Sequence, residues 1–337
     1  MVSVRPVVPS NFEQIYPLLH WHDSGLEKSV WQRIFDYSWK HDRPYCGYGL
    51  FDGNEAVGFI GFIFCDRSFS KPVTNPCSKP VTNPCSNHPS NKANRFTKLC
   101  NLTTWVVKPQ YRGHSISLMM PVIRMKEHII TDLSASDGVV ELSKRLGFRV
   151  LDDAVKVLLP QAPSSTASIF TEEDISNLPL PSAERTIFQD HRGYANCHQI
   201  VLQAGENYCH IIYTVNREAE LSYSHIQYIN NLASFEQYQT AIRQRIIQDS
   251  QLPLIVIDSR LVASIKLPFS YHLPLSSPRI YRPAQSQTVP LDKSQIDNLY
   301  SELVLLEFGT ADSLTLGWRE KALSICSPAI EKLARCG

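Results

Sequence analysis

The sequence predicts an α/β (α+β) fold in which a mixed, mostly antiparallel sheet is flanked by helices. Three observations carry this expectation. Residues 101–107 are rich in Thr, Trp and Val, which suit a pleated, half-buried surface. They break at Pro109 and lead into the apolar helical run Ile116-Ser117-Leu118-Met119-Met120. Residues 45–51 and 56–64 are apolar runs joined by Asp52-Gly53-Asn54-Glu55, the signature of a hairpin. In the second half the order hairpin, strand, helix, strand recurs between residues 199 and 258.

The 337 residues suffice for two ordinary domains. A chain that is 43% hydrophobic and 19% charged, with formal net charge +1, has a globular profile and not that of a general nucleic-acid binder. No apolar run reaches the roughly 18 residues of a membrane span, and Met1-Val2-Ser3-Val4-Arg5-Pro6 lacks the apolar core of a signal peptide. The nine cysteines are scattered without CxxC pairs, so reduced thiols in a cytoplasmic protein are expected, with neither a disulfide frame nor a bound metal.

In order, residues 2–7 read as a first strand, and Ser10-Asn11-Phe12-Glu13 as a capping box opening a helix over 12–19. His20-Trp21-His22-Asp23 reads as a polar loop between helices, with a metal or acid–base role as the sharper alternative, though no further ligands stand at metal-site spacing. The apolar spacing of Val30, Trp31, Ile34 and Phe35 predicts a helix over 26–39. After the hairpin, residues 71–78 are repeated without change as 79–86, rich in Pro and Asn. They sit in a basic stretch, 67–98, that contains no acid. Such a unit propagates neither a helix nor a central strand and reads as an exposed insertion. Residues 128–134 read as a short strand. Val139, Leu142 and Leu146 share one face of a helix that stops at Gly147, and residues 149–159 supply closing strands.

The stretch Trp105-Val106-Val107-Lys108-Pro109-Gln110-Tyr111-Arg112-Gly113-His114-Ser115-Ile116-Ser117 organises this half. The first backbone N–H groups of a helix have no internal partner, and the helix dipole adds positive charge there. A pyrophosphate can rest on such a turn. Gly113 permits close approach, and Ser115 and Ser117 are small.

Gln110-Tyr111-Arg112-Gly113-His114-Ser115 resembles the acyl-CoA-binding signature of the GNAT (GCN5-related) N-acetyltransferases, Gln/Arg-x-x-Gly-x-Gly/Ala, with Ser115 where Gly or Ala is usual. The opening strand with Arg5-Pro6, the hairpin around Gly53, and the helix ending Leu146-Gly147-Phe148 resemble that family in the same order, over residues 2–160. The resemblance implies a GNAT domain at 1–160, acetyl-CoA as co-substrate, and a primary amine on a small molecule or a protein as acceptor. The pantetheine arm would then run along Trp105, Val106 and Val107. The pyrophosphate would lie on Gln110, Arg112, Gly113, His114, Ser115, Ile116 and Ser117.

The sequence departs from the family in its acid–base groups. Ser143 stands where many members carry a Tyr, and residues 101–107 contain no carboxylate. His20, His22, Asp23 and His114 remain, and no catalytic residue is assigned. A non-catalytic acyl-CoA-binding or scaffold protein is the alternative reading.

Residues 161–168 read as a linker. Residues 169–308 are expected to form a degenerate second copy of the fold, and 309–337 a C-terminal tail. Ser234-Phe235-Glu236-Gln237 reads as a capping box for a helix reaching about Asp249, and His210 and His225 read as polar faces of strands. The second copy has Asn230-Asn231-Leu232-Ala233 where the first has its glycine turn, so it is not expected to hold a pyrophosphate.

Overall fold

The computed structural model describes residues 1–39, 45–67, 97–161, 167–217, 222–287 and 291–307. The octamer repeat at 71–86, nearly all of the basic stretch 67–98, most of the linker and the tail 309–337 lie outside the described residues. The first half carries β1 (Val2–Val7), α1 (Phe12–His22), α2 (Lys28–Gln32), β2 (Gly47–Asp52), β3 (Glu55–Arg67), β4 (Thr97–Val107), α3 (Ser115–Ile123), β5 (His128–Asp132), α4 (Asp137–Arg145) and β6 (Arg149–Leu158). The second carries β7 (Ser168–Thr171), α5 (Glu172–Ile175), α6 (Ser182–His191), β8 (Cys197–Ala204), β9 (Asn207–Arg217), β10 (Ser222–Ile229), α7 (Leu232–Ser250), β11 (Ile255–Asp258), β12 (Ser270–Arg282) and α8 (Glu302–Leu305).

The strands form one sheet in the order β1-β2-β3-β4-β5-β12-β6-β11-β10-β9-β8-β7. Its pairings are antiparallel except β4 with β5 and β10 with β11. The halves exchange their last strands. β12 lies between β5 and β6, antiparallel to both, and β6 lies between β12 and β11, antiparallel to both. The sheet therefore runs unbroken across the expected boundary at position 160.

Helices cover both faces, so the central strands read as continuous apolar runs. In β3 every residue from Ala56 to Cys65 is buried. On one face Leu118, Met119 and Val122 of α3 and Val140 of α4 pack on Leu50, Phe62, Leu102 and Ile130. On the other, Phe12, Ile15, Leu18 and Leu19 of α1 pack with Trp31 and Ile34 on Phe51, Phe59 and Val106. In the second half α7 sets Phe235, Ile242 and Ile246 against Ile211, Ile226 and Ile257. Each such side chain contributes about 1.5–3 kcal/mol when fully buried. The described cysteines, Cys46, Cys65, Cys100, Cys197 and Cys209, are all buried.

Three local expectations are corrected. The helix predicted over 26–39 is helical only at Lys28–Gln32 and then breaks into turns. The sheet captures its aromatic end: the Trp39 indole donates to the Phe64 carbonyl at 2.8 Å, and the Phe64 N–H donates to the Tyr37 hydroxyl at 3.2 Å. The box at Ser10 does not form, because a 3₁₀ turn over Pro9–Asn11 comes first and Asn11 Oδ1 accepts from the Val8 N–H. The later helix starts earlier than Ser234. Asn231 caps it by accepting from the Ser234 N–H at 3.0 Å, while Glu236 accepts from the Lys266 N–H.

A buried ionic cluster pins the exchanged strands. Asp258, at the end of β11, accepts from Arg279 of β12 at 2.9 Å and pairs with Arg260 and with His225, the latter at 3.1 Å. Asn298 Nδ2 adds a bond at 3.0 Å. Burial opposes the charge on Asp258, yet the guanidiniums of Arg279 and Arg260 hold its carboxyl well below the usual range. Removing one partner strands the others in the core. Asp258→Ala is expected to lower unfolding free energy by about 3–5 kcal/mol in urea denaturation, because Arg279 loses its counter-charge and Arg260 keeps only Asp152.

Candidate functional site

The site begins where two strands part. β4 pairs with β5 only from Lys98 to Asn101, against His128 to Thr131. On its other edge β4 carries one extra residue: Phe59 faces Val106 and Gly61 faces Thr103. Thr104 takes up the bulge at φ 51, a left-handed conformation that costs a β-branched residue about 1–3 kcal/mol. Gly61 makes room for it, since a Cβ there would come within 2.8 Å of Thr103 Cγ2. Beyond Asn101 the β5-facing edge of β4 has no strand against it among the described residues. Backbone N–H and C=O groups on such an edge can pair with an extended segment in the manner of an added strand.

The opening is a cleft of about 610 Å³, within the range of small-molecule sites. Its walls are Trp21 and His22 of α1, Trp105, Val106 and Val107 of β4, Arg112 and Ser115 of the turn, and Val139 and Leu142 of α4. An inner recess is lined by Thr103, Thr104, Asp132 and Ser134, with His22 at its edge. The expected cofactor residues thus divide. Trp105, Val106, Val107, Arg112 and Ser115 share the cleft. Gln110, Gly113, His114 and Ile116 are exposed on the turn or the first turn of α3. Ser117 lies on the far side of α3, beside Tyr48 and Met120, and its hydroxyl donates to the His114 carbonyl at 2.5 Å.

The turn itself is a 3₁₀ segment, Pro109–His114, running into α3 at Ser115. It is tied to the β2–β3 hairpin by the Tyr111 hydroxyl, which donates to Asp52 at 3.0 Å, and by the Lys108–Glu55 ion pair. A side chain at position 113 would meet nothing within 4 Å.

Of the acid–base candidates read from the sequence, His22 alone borders the cleft. Asp23 is used locally, accepting from the Gly25 N–H at 2.8 Å. Ser143 is 1% exposed and sits in the core, while its neighbour Leu142 faces the cleft. The sequence reading missed Asp132. Burial and the nearby Glu302 push its carboxyl up to about 8. Its one sequence signal is its place at the carboxyl end of the apolar run Ile129-Ile130-Thr131, where strands of open sheets present functional groups.

No protein-family model matches the sequence, and no curated protein matches it. Solved structures do match the fold. A conserved protein of unknown function from Enterococcus faecalis V583 superposes at TM-score 0.53 with 12% identity, over 86% of this chain and 74% of that one. A GCN5-related N-acetyltransferase from Anabaena variabilis superposes at 0.50 with 11% identity, over 83% and 72%. One from Kribbella flavida superposes at 0.50 with 10% identity, over 85% and 72%. The chain has the GCN5-related N-acetyltransferase fold.

The second half repeats the strand relations of the acetyltransferase fold. β10 is parallel to β11 from Ser224 to Ile226, and a bulge follows at Gln227. Here the chain fills its own cleft. The Asn298 N–H donates to the Gln227 carbonyl at 3.2 Å, and Ile296, Asn298 and Leu299 are buried around it. The backbone edge that stays open in the first half is taken in the second.

Asp132 also leaves a signature in stability. Its folded-state value lies above the unfolded one, so the folded chain binds the extra proton between about pH 4 and pH 8. Its contribution is full below pH 4 and is lost as pH rises through 8. Asp132→Asn, which cannot ionise, is expected to gain stability relative to the parent as pH rises over that window, measured by denaturation at each pH.

Proposed function

We propose that the protein is an acyl-CoA-dependent N-acyltransferase that moves an acyl group, by default acetyl, from CoA to a primary amine. One observation carries this reading: the open edge of β4, from the Thr104 bulge to Val107, runs directly into the turn that opens α3. Trp105, Val106 and Val107 would bond the pantetheine arm through their backbone. Arg112 would meet the pyrophosphate with its guanidinium, and Gly113 and Ser115 would let the phosphates approach the turn closely. Val139 and Leu142 would close the apolar side. The bound thioester would then lie near the inner recess, with Thr103 and Thr104 beneath it. Holding donor and amine together in that recess supplies a large part of such a rate.

On this reading residues 1–160 hold the reaction, and residues 169–308 form a degenerate partner whose own cleft is filled. The acceptor is a primary amine of a small molecule or of a protein. The site calls for no metal, since the acyl transfer needs only proton movement and carbonyl polarisation.

Gly113→Glu is well suited to a test because its side chain meets empty space and leaves the fold intact. Isothermal titration should show one acetyl-CoA per chain in the parent and affinity weakened at least about 100-fold in the variant, where a carboxylate meets the phosphates. Equal binding by both proteins would overturn the placement of the cofactor.

A further inference from the structure

The two halves end their parallel strands on the same residue type in opposite surroundings. β5 ends at Asp132 and β11 at Asp258. Asp258 is fully buried among Arg279, Arg260, His225 and Asn298. Asp132 borders the inner recess of the open cleft, and no cation pairs with it among the described residues. Facing it instead is Glu302 of α8, a residue of the second half. Glu302 is wholly buried: its Oε1 accepts from the Ser134 hydroxyl at 2.8 Å, and its Oε2 has no partner among the described residues. Its backbone N–H is held by Asn101 Oδ1 at 3.3 Å, at the point where β4 and β5 part.

We propose that Asp132 is the catalytic residue that takes the proton from the acceptor amine, and that Glu302, carried in by the second half, is a positioning residue that keeps Asp132 able to accept it near neutral pH. This rests on the acyltransferase reading of the cleft. An alkylammonium loses one proton to the Asp132 carboxylate. The freed nitrogen lone pair forms the C–N bond to the thioester carbonyl carbon. The C–S bond breaks with its electron pair on sulfur, the second nitrogen proton goes to that sulfur, and Asp132 releases its own proton to solvent. Amide, thiol and one proton result.

Environments that push two like carboxyls apart separate a structural role from a proton-transfer role. Asp258 is held ionised by arginines. Asp132 is held against ionisation by burial and by Glu302. The groups around Asp132 are Glu302 from α8, the Ser134 N–H, and His22 from α1, which lines the same recess; Arg279 of β12 acts on Glu302, and its guanidinium is engaged by the Leu133 carbonyl at 2.8 Å and by Asp258.

The test measures transfer from acetyl-CoA to ethylamine, an ammonium at neutral pH, and to hydroxylamine, whose nitrogen is already uncharged. Asp132→Asn is expected to lower kcat/KM for ethylamine about 100-fold or more and for hydroxylamine far less. Glu302→Gln, which keeps an acceptor for Ser134, is expected to move the acidic limb of the ethylamine profile to lower pH while acetyl-CoA binding by titration is unchanged. Equal loss with both acceptors, or an unmoved pH profile in Glu302→Gln, overturns the assignment. A parent protein that binds acetyl-CoA yet transfers to neither amine overturns it too, while leaving the cofactor cleft in place. A parent that binds no acetyl-CoA removes the reading beneath it.

Discussion

The structure depends on the antiparallel pairing of β6 with β12 at the centre of the sheet. Each strand belongs by sequence to one half and completes the sheet of the other. Asp258 fixes that crossing through Arg279 of β12 and Arg260 just beyond β11. With the crossing in place, the chain after β12 has a defined path. It fills the cleft of the second half at Asn298, and at Glu302 it accepts from Ser134, which borders the recess of the first. On the proposed mechanism, one copy of the fold closes its own cleft and furnishes a residue to its neighbour's.

The open cleft follows from simple constraints on β4. A parallel partner that stops at Thr131, a bulge at Thr104 and a glycine opposite it leave a length of backbone without a ladder. The strand then ends at a proline turn held by Tyr111 and Lys108 to the hairpin. The end of β4, the turn at Arg112 and the apolar wall of α4 line one cleft, which is where the proposed acyl-CoA would lie. The Thr104 strain and the burial of Asp132 both oppose folding, and the apolar cores on the two faces offset them.

Much of this was legible in the sequence. The hairpin around Gly53, the central strand, the turn at Arg112 and Gly113, and the helix ending at Gly147 follow from local pattern and turn chemistry, and the structure places them in the expected order. The repeat of that order in the second half was legible for the same reason. What was not legible is non-local. Nothing near Glu302 signals that it meets Ser134, because the contact spans 168 positions. The strand exchange leaves no local signal, since β12 carries Pro274, Pro278 and several polar residues and reads as no strand, and nothing in β6 names its partner. Asp132 looked like the end of a buried strand until the divergence of β4 and β5 opened beside it. The aromatic stretch after Gln32 carried helical spacing, but hydrogen bonds to the edge of β3 outweighed it.

The most direct measurement is amide hydrogen exchange with and without CoA. One ligand in the first half alone should protect residues 102–107 of β4 and 112–118 of the turn and α3. Residues 227–233 of the second half, where the chain already fills its cleft, should be unchanged. Protection at 227–233, or none at the β4 edge, would contradict the account.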